Sequence, residues 1–291
     1  ETERTATAAD GVRAYYLATG GIERALLWMQ WAGESTADGK PKYWRSGIPL
    51  LRYDFPTGEA VVEIIPESSK LNINSASPEE LGAMLAQVGA GARASAIAQA
   101  IVEWRTPSAA GSGPGAYSRG LASSFEPPHA SFQEIEELLL VRGMTPELFY
   151  GRTERGADGR LTTYPGVRAC VSVFGSAGGG IDVNTAEPPV LLAAGIPPDL
   201  VSTILRQRAA VPFTKESLAG FAEQHPSLNR LTVGGGTGLY TLRSTARVKI
   251  QGGRLSDLRR TVETLVALLP NPMYGKPWQI LRWYENSPRL Q

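Results

Sequence analysis

The sequence is short of the residues that build disulfides, metal sites and membrane spans. It has one cysteine and two histidines in 291 residues. Cys170 has no second cysteine for an intramolecular disulfide, and its apolar surroundings in RACVSVF predict a buried, unreactive thiol. His129 and His225 are isolated, with no cysteine or second histidine at a metal-ligand spacing. No apolar run approaches the roughly 18 residues of a transmembrane helix.

An excess of either charge is also missing. The chain has 29 basic and 28 acidic residues, which gives a net charge of +1. No bulk electrostatic attraction therefore directs it to DNA, RNA or an anionic membrane. What is present is the composition of a globular protein, with 42% hydrophobic and 20% charged residues. A chain of this length forms one large domain or two ordinary ones.

The common catalytic motifs are absent as well. Neither G-x-S-x-G nor H-E-x-x-H occurs. The segment GESTADGKP, residues 33–41, has the wrong glycine spacing for a P-loop and a proline where serine or threonine is required. We therefore predict that the protein is not an enzyme and that it has no catalytic residue, no cofactor and no metal site.

An amphipathic helix is predicted over residues 8–31. Its apolar residues follow alternating three- and four-residue steps, interrupted only at Thr19. They are Val12, Tyr15, Ile22, Leu26 and Met29. Gly20-Gly21 lies inside this pattern, and each glycine weakens a helix by about 1 kcal/mol relative to alanine. Gly33 is expected just beyond the end of the helix.

Strand patterns lie near both ends of the chain. Three segments favour strands: 59–65, 239–250 and 278–284. The second alternates between apolar and polar residues, which is typical of a strand with one solvated face. Gly252-Gly253 predicts a turn, and residues 255–269 fit either a strand or a helix. Residues 34–58 are rich in glycine, proline and aromatic residues, so we predict mostly loop there.

The middle of the chain contains short helix candidates. Their predicted start and end residues are Ser77 and Ser131, in capping boxes with Glu80 and Glu134, and then Gly143 and Gly195. A long Gly/Ser/Pro loop is predicted at 106–131. The sequence therefore predicts an α+β protein in which residues 1–68 and 229–291 form one discontinuous α/β domain. Residues 69–228 form a large inserted helical domain.

One phrase occurs twice in the helical segment, as LNINSASPEEL at 71–81 and as IDVNTAEPPVLL at 181–192. In both copies an apolar pair precedes an asparagine, and a proline follows the asparagine by four residues. The matched residues are Asn74 and Asn184, Pro78 and Pro188. Such an asparagine can accept hydrogen bonds from nearby backbone N–H groups, while proline presets the helix entry.

Each copy continues in the same order. Two helices lead to an arginine, Arg105 or Arg208, and a phenylalanine and a third helix follow. This order predicts a duplicated helical unit. The apolar pairs that open the copies are expected to anchor them inside the domain: Leu71 and Ile73, Ile181 and Val183.

The repeated phrase resembles the helix-hairpin-helix modules of competence-type DNA receptors, in which backbone N–H groups of the hairpin contact phosphate. The first copy has Val88-Gly89-Ala90-Gly91 at this point. The second has Pro197-Pro198, which lack N–H donors, followed by the repelling charge of Asp199. The resemblance makes a helix-hairpin-helix DNA-binding protein the alternative function. Because the second hairpin lacks these donors, we predict no binding to nucleic acid.

The order of segments along nearly the whole chain resembles the K-type minor pseudopilins of bacterial type II secretion systems. The segments that carry the resemblance are LNIN, VEWR, FQEIEELLLVRGMTPELFYG, IDVNTA and TLRSTARVKI. It implies a pilin-like N-terminal helix on an antiparallel sheet, with the inserted helical domain carrying two helix-hairpin-helix-like units. Many relatives have clustered aspartates after the Trp-Arg pair, in a region associated with calcium. Here Thr106-Pro107-Ser108 follow, so calcium is not expected there.

The resemblance also implies a role and a location. The family's hydrophobic N-terminal half-helix, which a prepilin peptidase cuts from its basic leader, is missing from this sequence. We therefore expect an inner-membrane anchor through that missing helix and a soluble domain in the periplasm. The implied partners are other minor pseudopilins at the tip of the secretion pseudopilus, and possible secreted cargo.

The N-terminal helix carries the predicted partner-binding residues. Tyr16, Leu27, Trp28 and Trp31 widen its apolar surface beyond the single stripe that packing on one sheet requires. We expect the C-terminal part of the helix to pack on the protein's own sheet, with Gly20-Gly21 tolerating a bend. Val12, Tyr15 and Tyr16 are expected to contact partner helices.

Overall fold

The computed structural model describes residues 2–107, 128–156, 159–175, 180–234, 236, 238–269, 275 and 277–285. The chain divides into two compact units. One comprises Glu1–Glu67, Val211–Lys215 and Val233–Arg289, and the other comprises Ser68–Ala210 and Glu216–Thr232.

The described residues form α-helices and β-strands that we number in chain order. The helices are α1 (Thr2–Gln30), α2 (Pro78–Leu85), α3 (Ala94–Arg105), α4 (Pro146–Tyr150), α5 (Val167–Cys170), α6 (Pro188–Ala193), α7 (Pro198–Ala210) and α8 (Lys215–Glu223). The strands are β1 (Leu50–Phe55), β2 (Gly58–Pro66), β3 (Leu71–Asn72), β4 (Gly151–Arg155), β5 (Leu161–Pro165), β6 (Val171–Ser172), β7 (Ile181–Asp182), β8 (Leu231–Thr232), β9 (Leu239–Val248), β10 (Arg260–Leu268) and β11 (Trp278–Tyr284).

The first unit is one long helix packed on an antiparallel sheet. The strand order is β1-β2-β9-β10-β11, with every neighbouring pair antiparallel. The predicted strands near 59–65, 239–250 and 278–284 are confirmed. The ambiguous segment 255–269 contains a strand, because β9 on one side and β11 on the other pair with the backbone of β10. The α+β class, with an N-terminal helix on an antiparallel sheet, is confirmed.

The loop predicted at 34–58 is partly wrong. It contains β1, which pairs with β2 across the two residues between Phe55 and Gly58. The alternation in LLRYDF is short, and only the pairing with β2 establishes it as a strand. In β9 the predicted apolar and polar faces are confirmed, and the polar face is paired across strands. Arg243 donates from Nε to Glu263 Oε2 at 2.8 Å and from Nη1 to Glu63 Oε2 at 3.4 Å.

Small residues form much of the face by which α1 packs on its sheet. Ala14, Ala18, Gly21 and Ala25 are buried, together with the larger Ile22, Leu26 and Met29. The helix runs continuously through Gly20-Gly21. A Cβ atom at Gly21 would lie 2.7 Å from Ser244 Oγ and 2.9 Å from Ala60 Cβ. The glycine therefore lets the helix approach the sheet closely, a role that the helix pattern did not indicate.

The second unit contains the short helices predicted for the middle of the chain. The capping box at the start of α2 is confirmed: Glu80 N donates to Ser77 Oγ at 3.1 Å, and Ser77 N donates to Glu80 Oε2 at 2.9 Å. The cap predicted at Ser131 is wrong. A 3₁₀-helix begins only at Ile135, and its capping box is formed by Glu134 with Glu137.

Two further predictions concern a loop and two glycines at helix ends. Of the loop predicted at 106–131, residues 108–127 lie outside the described residues. Gly143 and Gly195 lie at helix or turn ends with φ of 86° and 84°, as their predicted role requires. Within the described part of the chain, no helix combines the length and apolarity that crossing a membrane requires.

A glycine pair in α1 tests the close approach of helix and sheet. We expect Gly21→Ala to lower the free energy of unfolding by about 1–3 kcal/mol, because the added methyl group overpacks the contact with Ser244 and Ala60. Gly20→Ala is the matched control, since the nearest atoms to its Cβ would be those of the Phe55 ring at 3.9 Å. It should be neutral or stabilise the protein by up to about 1 kcal/mol. Urea denaturation of both variants measures the difference, and equal effects would contradict the role given to Gly21.

Candidate functional site

The two copies of the repeated phrase have the same backbone arrangement. Each opens with a two-residue strand that pairs in parallel with a later two-residue strand, β3 with β6 and β7 with β8. The residue after each opening strand extends the pairing by one hydrogen bond. Ile73 N donates to Ser172 O at 3.0 Å, and Val183 N donates to Thr232 O at 2.9 Å. The predicted duplicated helical unit is therefore present, and the opening apolar residues of both copies are buried.

The arginine at the end of the second helix closes each copy. Arg105 donates to the carbonyl oxygens of Ile73 and Ala76. Arg208 donates from Nη1 to the carbonyl oxygens of Val183 at 3.0 Å and Ala186 at 2.8 Å. In each copy these two carbonyls lie between the opening strand and the first helix. One guanidinium group therefore supplies hydrogen-bond donors to both of them.

Burial lowers the pKa of both arginines, because the charged guanidinium is removed from water. At Arg208 the nearby carboxylates of Glu187 and Asp182 oppose this shift. Charged donors make stronger hydrogen bonds than neutral ones, so each arginine holds the start of its copy firmly, although burial removes water from its guanidinium group. The sequence had marked these arginines as equivalent without indicating what they bind.

Asn74 makes a contact that spacing along the chain could not reveal. Its Nδ2 donates to Phe132 O at 3.0 Å, and Phe132 N donates to its Oδ1 at 2.8 Å. We predicted bonds from backbone groups near the asparagine, and for Asn74 this is wrong. The amide instead ties the start of the first copy to the segment before the 3₁₀-helix, where the Phe132 ring stacks on Trp104 with centroids 5.6 Å apart.

The two hairpins differ in the backbone groups that phosphate binding would require. In the second, Gly195 N donates to Leu192 O and Ile196 N donates to Leu191 O, so both N–H groups are used within the chain. In the first, Gly89 has a φ of 91°, and its Cβ would lie 2.5 Å from Arg152 Nη2. The side chain of Arg152 covers this turn. That nucleic acid does not bind stays a prediction.

The three predicted partner-binding residues lie on two sides of α1. Val12 is 57% exposed and Tyr16 is 68% exposed, whereas Tyr15 is half-buried against the core of its unit. The rings of Tyr15 and Tyr16 meet edge to face at 5.4 Å. Val12 was placed on the same apolar stripe as Ile22, Leu26 and Met29, but the structure buries those three and leaves Val12 in solvent.

The described residues contain little that suggests chemistry. No group of three or more His, Cys, Asp or Glu side chains in them could hold a metal ion. Cys170 is buried, as predicted, and burial raises the pKa of its thiol. Asp182 accepts a hydrogen bond from Thr185 Oγ1 at 2.6 Å at the entry to the second copy.

Residues 62–151, which include most of the first copy, match the family model described as type II secretion system (T2SS), protein K. The fold of the chain is similar to that of a chain in the crystal structure of the GspK–GspI–GspJ complex from the enterotoxigenic Escherichia coli type 2 secretion system. The match has a TM-score of 0.52 and 16% identity, and it covers 97% of this chain and 98% of that chain.

No curated protein matches the sequence. The resemblance to K-type minor pseudopilins that the segment order indicated is confirmed by the family match, and the pilin-like α+β fold by the structural match. The matched segment ends before the second copy of the repeat begins. The equivalence of the two copies therefore rests on their shared hydrogen bonds.

Arg208 tests whether the second copy depends on its closing arginine. We expect Arg208→Gln to lower the free energy of unfolding by about 1–3 kcal/mol for each carbonyl left without a donor. Arg206→Gln on the same helix is the control, because Arg206 is exposed and bonds only Thr203 among the described residues. Its effect should stay within about 0.5 kcal/mol. Urea denaturation followed by circular dichroism measures both, and a neutral Arg208→Gln would show that the closing bonds contribute nothing.

Proposed function

We propose that the protein is a non-catalytic minor pseudopilin at the tip of a type II secretion pseudopilus, where it assembles with other minor pseudopilins to support protein export. The observation that carries the proposal is the similarity of nearly the entire chain to a chain of the GspK–GspI–GspJ complex. The match of residues 62–151 to the protein K family model supports it independently.

The proposal includes a domain arrangement and a location. Residues 1–68 and 229–291 form the pseudopilin domain, and residues 69–228 form the inserted helical domain. The protein is held at the inner membrane by an N-terminal hydrophobic helix and exposes these domains to the periplasm. Secreted cargo is a further proposed partner. The alternative, a helix-hairpin-helix DNA-binding protein, is disfavoured by the used N–H groups of the second hairpin.

The proposed partner-binding surface is the exposed side of α1. Val12 and Tyr16 are four residues apart and therefore lie on one face of the helix. Leu27 in the helix and Trp31, directly after its last residue, are both 40% exposed and continue this side. Large exposed apolar side chains in a row on one helix are typical of a surface that another protein covers. Tyr15, which is half-buried, contacts the edge of this surface through Tyr16.

Two substitutions in α1 separate partner binding from folding. Tyr16→Asp should leave the protein folded, because the side chain is largely exposed, and weaken capture of the GspI- and GspJ-like partners by at least about tenfold, as loss of an aromatic contact at an interface does. Leu26→Asp should unfold the pseudopilin domain, because Leu26 is fully buried. Circular dichroism and co-purification from cells that express the partners measure the two effects.

A matched control uses an exposed apolar residue elsewhere. Leu161 in β5 is 65% exposed, and Leu161→Asp introduces the same charge outside the proposed surface. It should leave both folding and partner capture unchanged. If Tyr16→Asp retains full partner capture, α1 serves only the protein's own core and the proposed surface is wrong.

A further inference from the structure

A polar cavity lies in the second unit, beside the opening residues of the two copies. Its volume is about 230 Å³. The polar side chains that line it are Ser68, Lys70, Asn72, Ser75, Glu80 and Arg230. Neither the assembly role nor the surface of α1 uses this cavity. A volume of this size is room for several water molecules, at about 30 Å³ each, or for one small polar group of a ligand.

The wall of the cavity carries charges of both signs. Lys70 and Arg230 are basic, and Glu80 is acidic. Glu80 is engaged on both oxygens: Oε2 accepts from Ser77 N at 2.9 Å, and Oε1 accepts from Arg230 Nη1 at 2.8 Å. The carboxylate is thereby fixed at the start of α2, and it holds the arginine in a defined position at the wall.

Arg230 is suited to bind a second carboxylate while Glu80 holds it. A guanidinium has five N–H donors in a planar fork that matches the two oxygens of a carboxylate. Only one of its donors, on Nη1, is bonded to another side chain among the described residues. Its side chain is 39% exposed, so the group is reachable from solvent.

Ser68 supplies a second, independent indication of a ligand. The residue is 5% exposed, and its Oγ has no hydrogen-bond partner in the described part of the chain. A buried hydroxyl without a partner is unfavourable unless something in the cavity supplies one. Ser75 and Asn72 add polar groups to the same wall.

We propose that this cavity binds a carboxylate group. Arg230 pairs with the carboxylate oxygens, and the Ser68 hydroxyl donates a hydrogen bond to the same group. The planar fork of the guanidinium matches the two coplanar oxygens of a carboxylate. The group could come from a peptide C-terminus, an acidic side chain or a small free acid, which share this chemistry. The proposal does not rest on the assembly role.

The test is a titration of the full chain with defined probes. They are acetate, an acetylated triglycine with a free C-terminus, the same peptide amidated, an amidated peptide containing one aspartate, and inorganic phosphate. NMR of the arginine side-chain N–H groups follows binding at Arg230. We expect saturable binding of at least one carboxylate probe with a dissociation constant of about 1 mM or tighter. Preference for the free C-terminus, the aspartate peptide or acetate would identify the source.

Two variants should change the affinity in opposite directions. Arg230→Gln should weaken binding by about tenfold or more, because it removes the charged fork. Glu80→Gln should tighten binding, because it removes a competing negative charge, while glutamine still serves as the third residue of a capping box. Ser68→Ala, which changes no charge, should weaken binding several-fold. Arg206→Gln, outside the cavity, is the control and should bind as the unaltered chain does.

Three results would overturn the proposal. One is the absence of saturable binding by every carboxylate probe, which would leave a cavity that holds only water. The second is stronger binding of phosphate than of any carboxylate. The third is a change in the same direction for Arg230→Gln and Glu80→Gln. These outcomes leave capture of partners through α1 unaffected, so failure here is distinguishable from failure of the assembly role.

Discussion

The fold of the second unit depends on hydrogen bonds to the backbone carbonyls where two short strands lead into helices. The strands are two residues long, so a regular ladder cannot provide all the hydrogen bonds there. The charged donors of Arg105 and Arg208 provide them instead, from the far end of the second helix of each copy. Because each arginine is partly buried to reach its carbonyls, the helix must pack with its C-terminal end beside the opening strand. The hydrogen-bond requirement thus fixes the path of the chain through the repeat.

The first unit is governed by a different constraint, the distance between a helix and a sheet. Small side chains on α1 let the backbone come close to β2 and β9, and Ser244 and Ala60 on the sheet are also small. Close packing on this side leaves the bulky residues of the helix, such as Tyr16 and Leu27, for the other side. The core and the exposed surface of α1 therefore follow from one arrangement of large and small residues.

Periodicity in the sequence was enough to predict α1 and most strands of the sheet, and the repeated phrase predicted the duplicated unit. It failed where the deciding partner is distant in the chain. β1 is a strand because of β2, and Asn74 bonds Phe132, 58 residues further on. Ser131 had the spacing of a helix cap, but the helix begins later, at Ile135. On α1 the width of the apolar surface predicted contacts beyond the protein's own sheet. Placing Val12 on the buried stripe was wrong, because the sequence does not show which residues of the helix face the sheet.

The pairing of β3 with β6 and of β7 with β8 places the first and last residues of each copy next to each other, Leu71 beside Val171 and Ile181 beside Leu231. Each copy is therefore a closed loop of chain whose two ends lie side by side. A loop of this kind joins the rest of the chain at a single place, so a change in its length need not move either of its ends. The first copy is the longer of the two, and the strands that close it pair in the same way as those of the second.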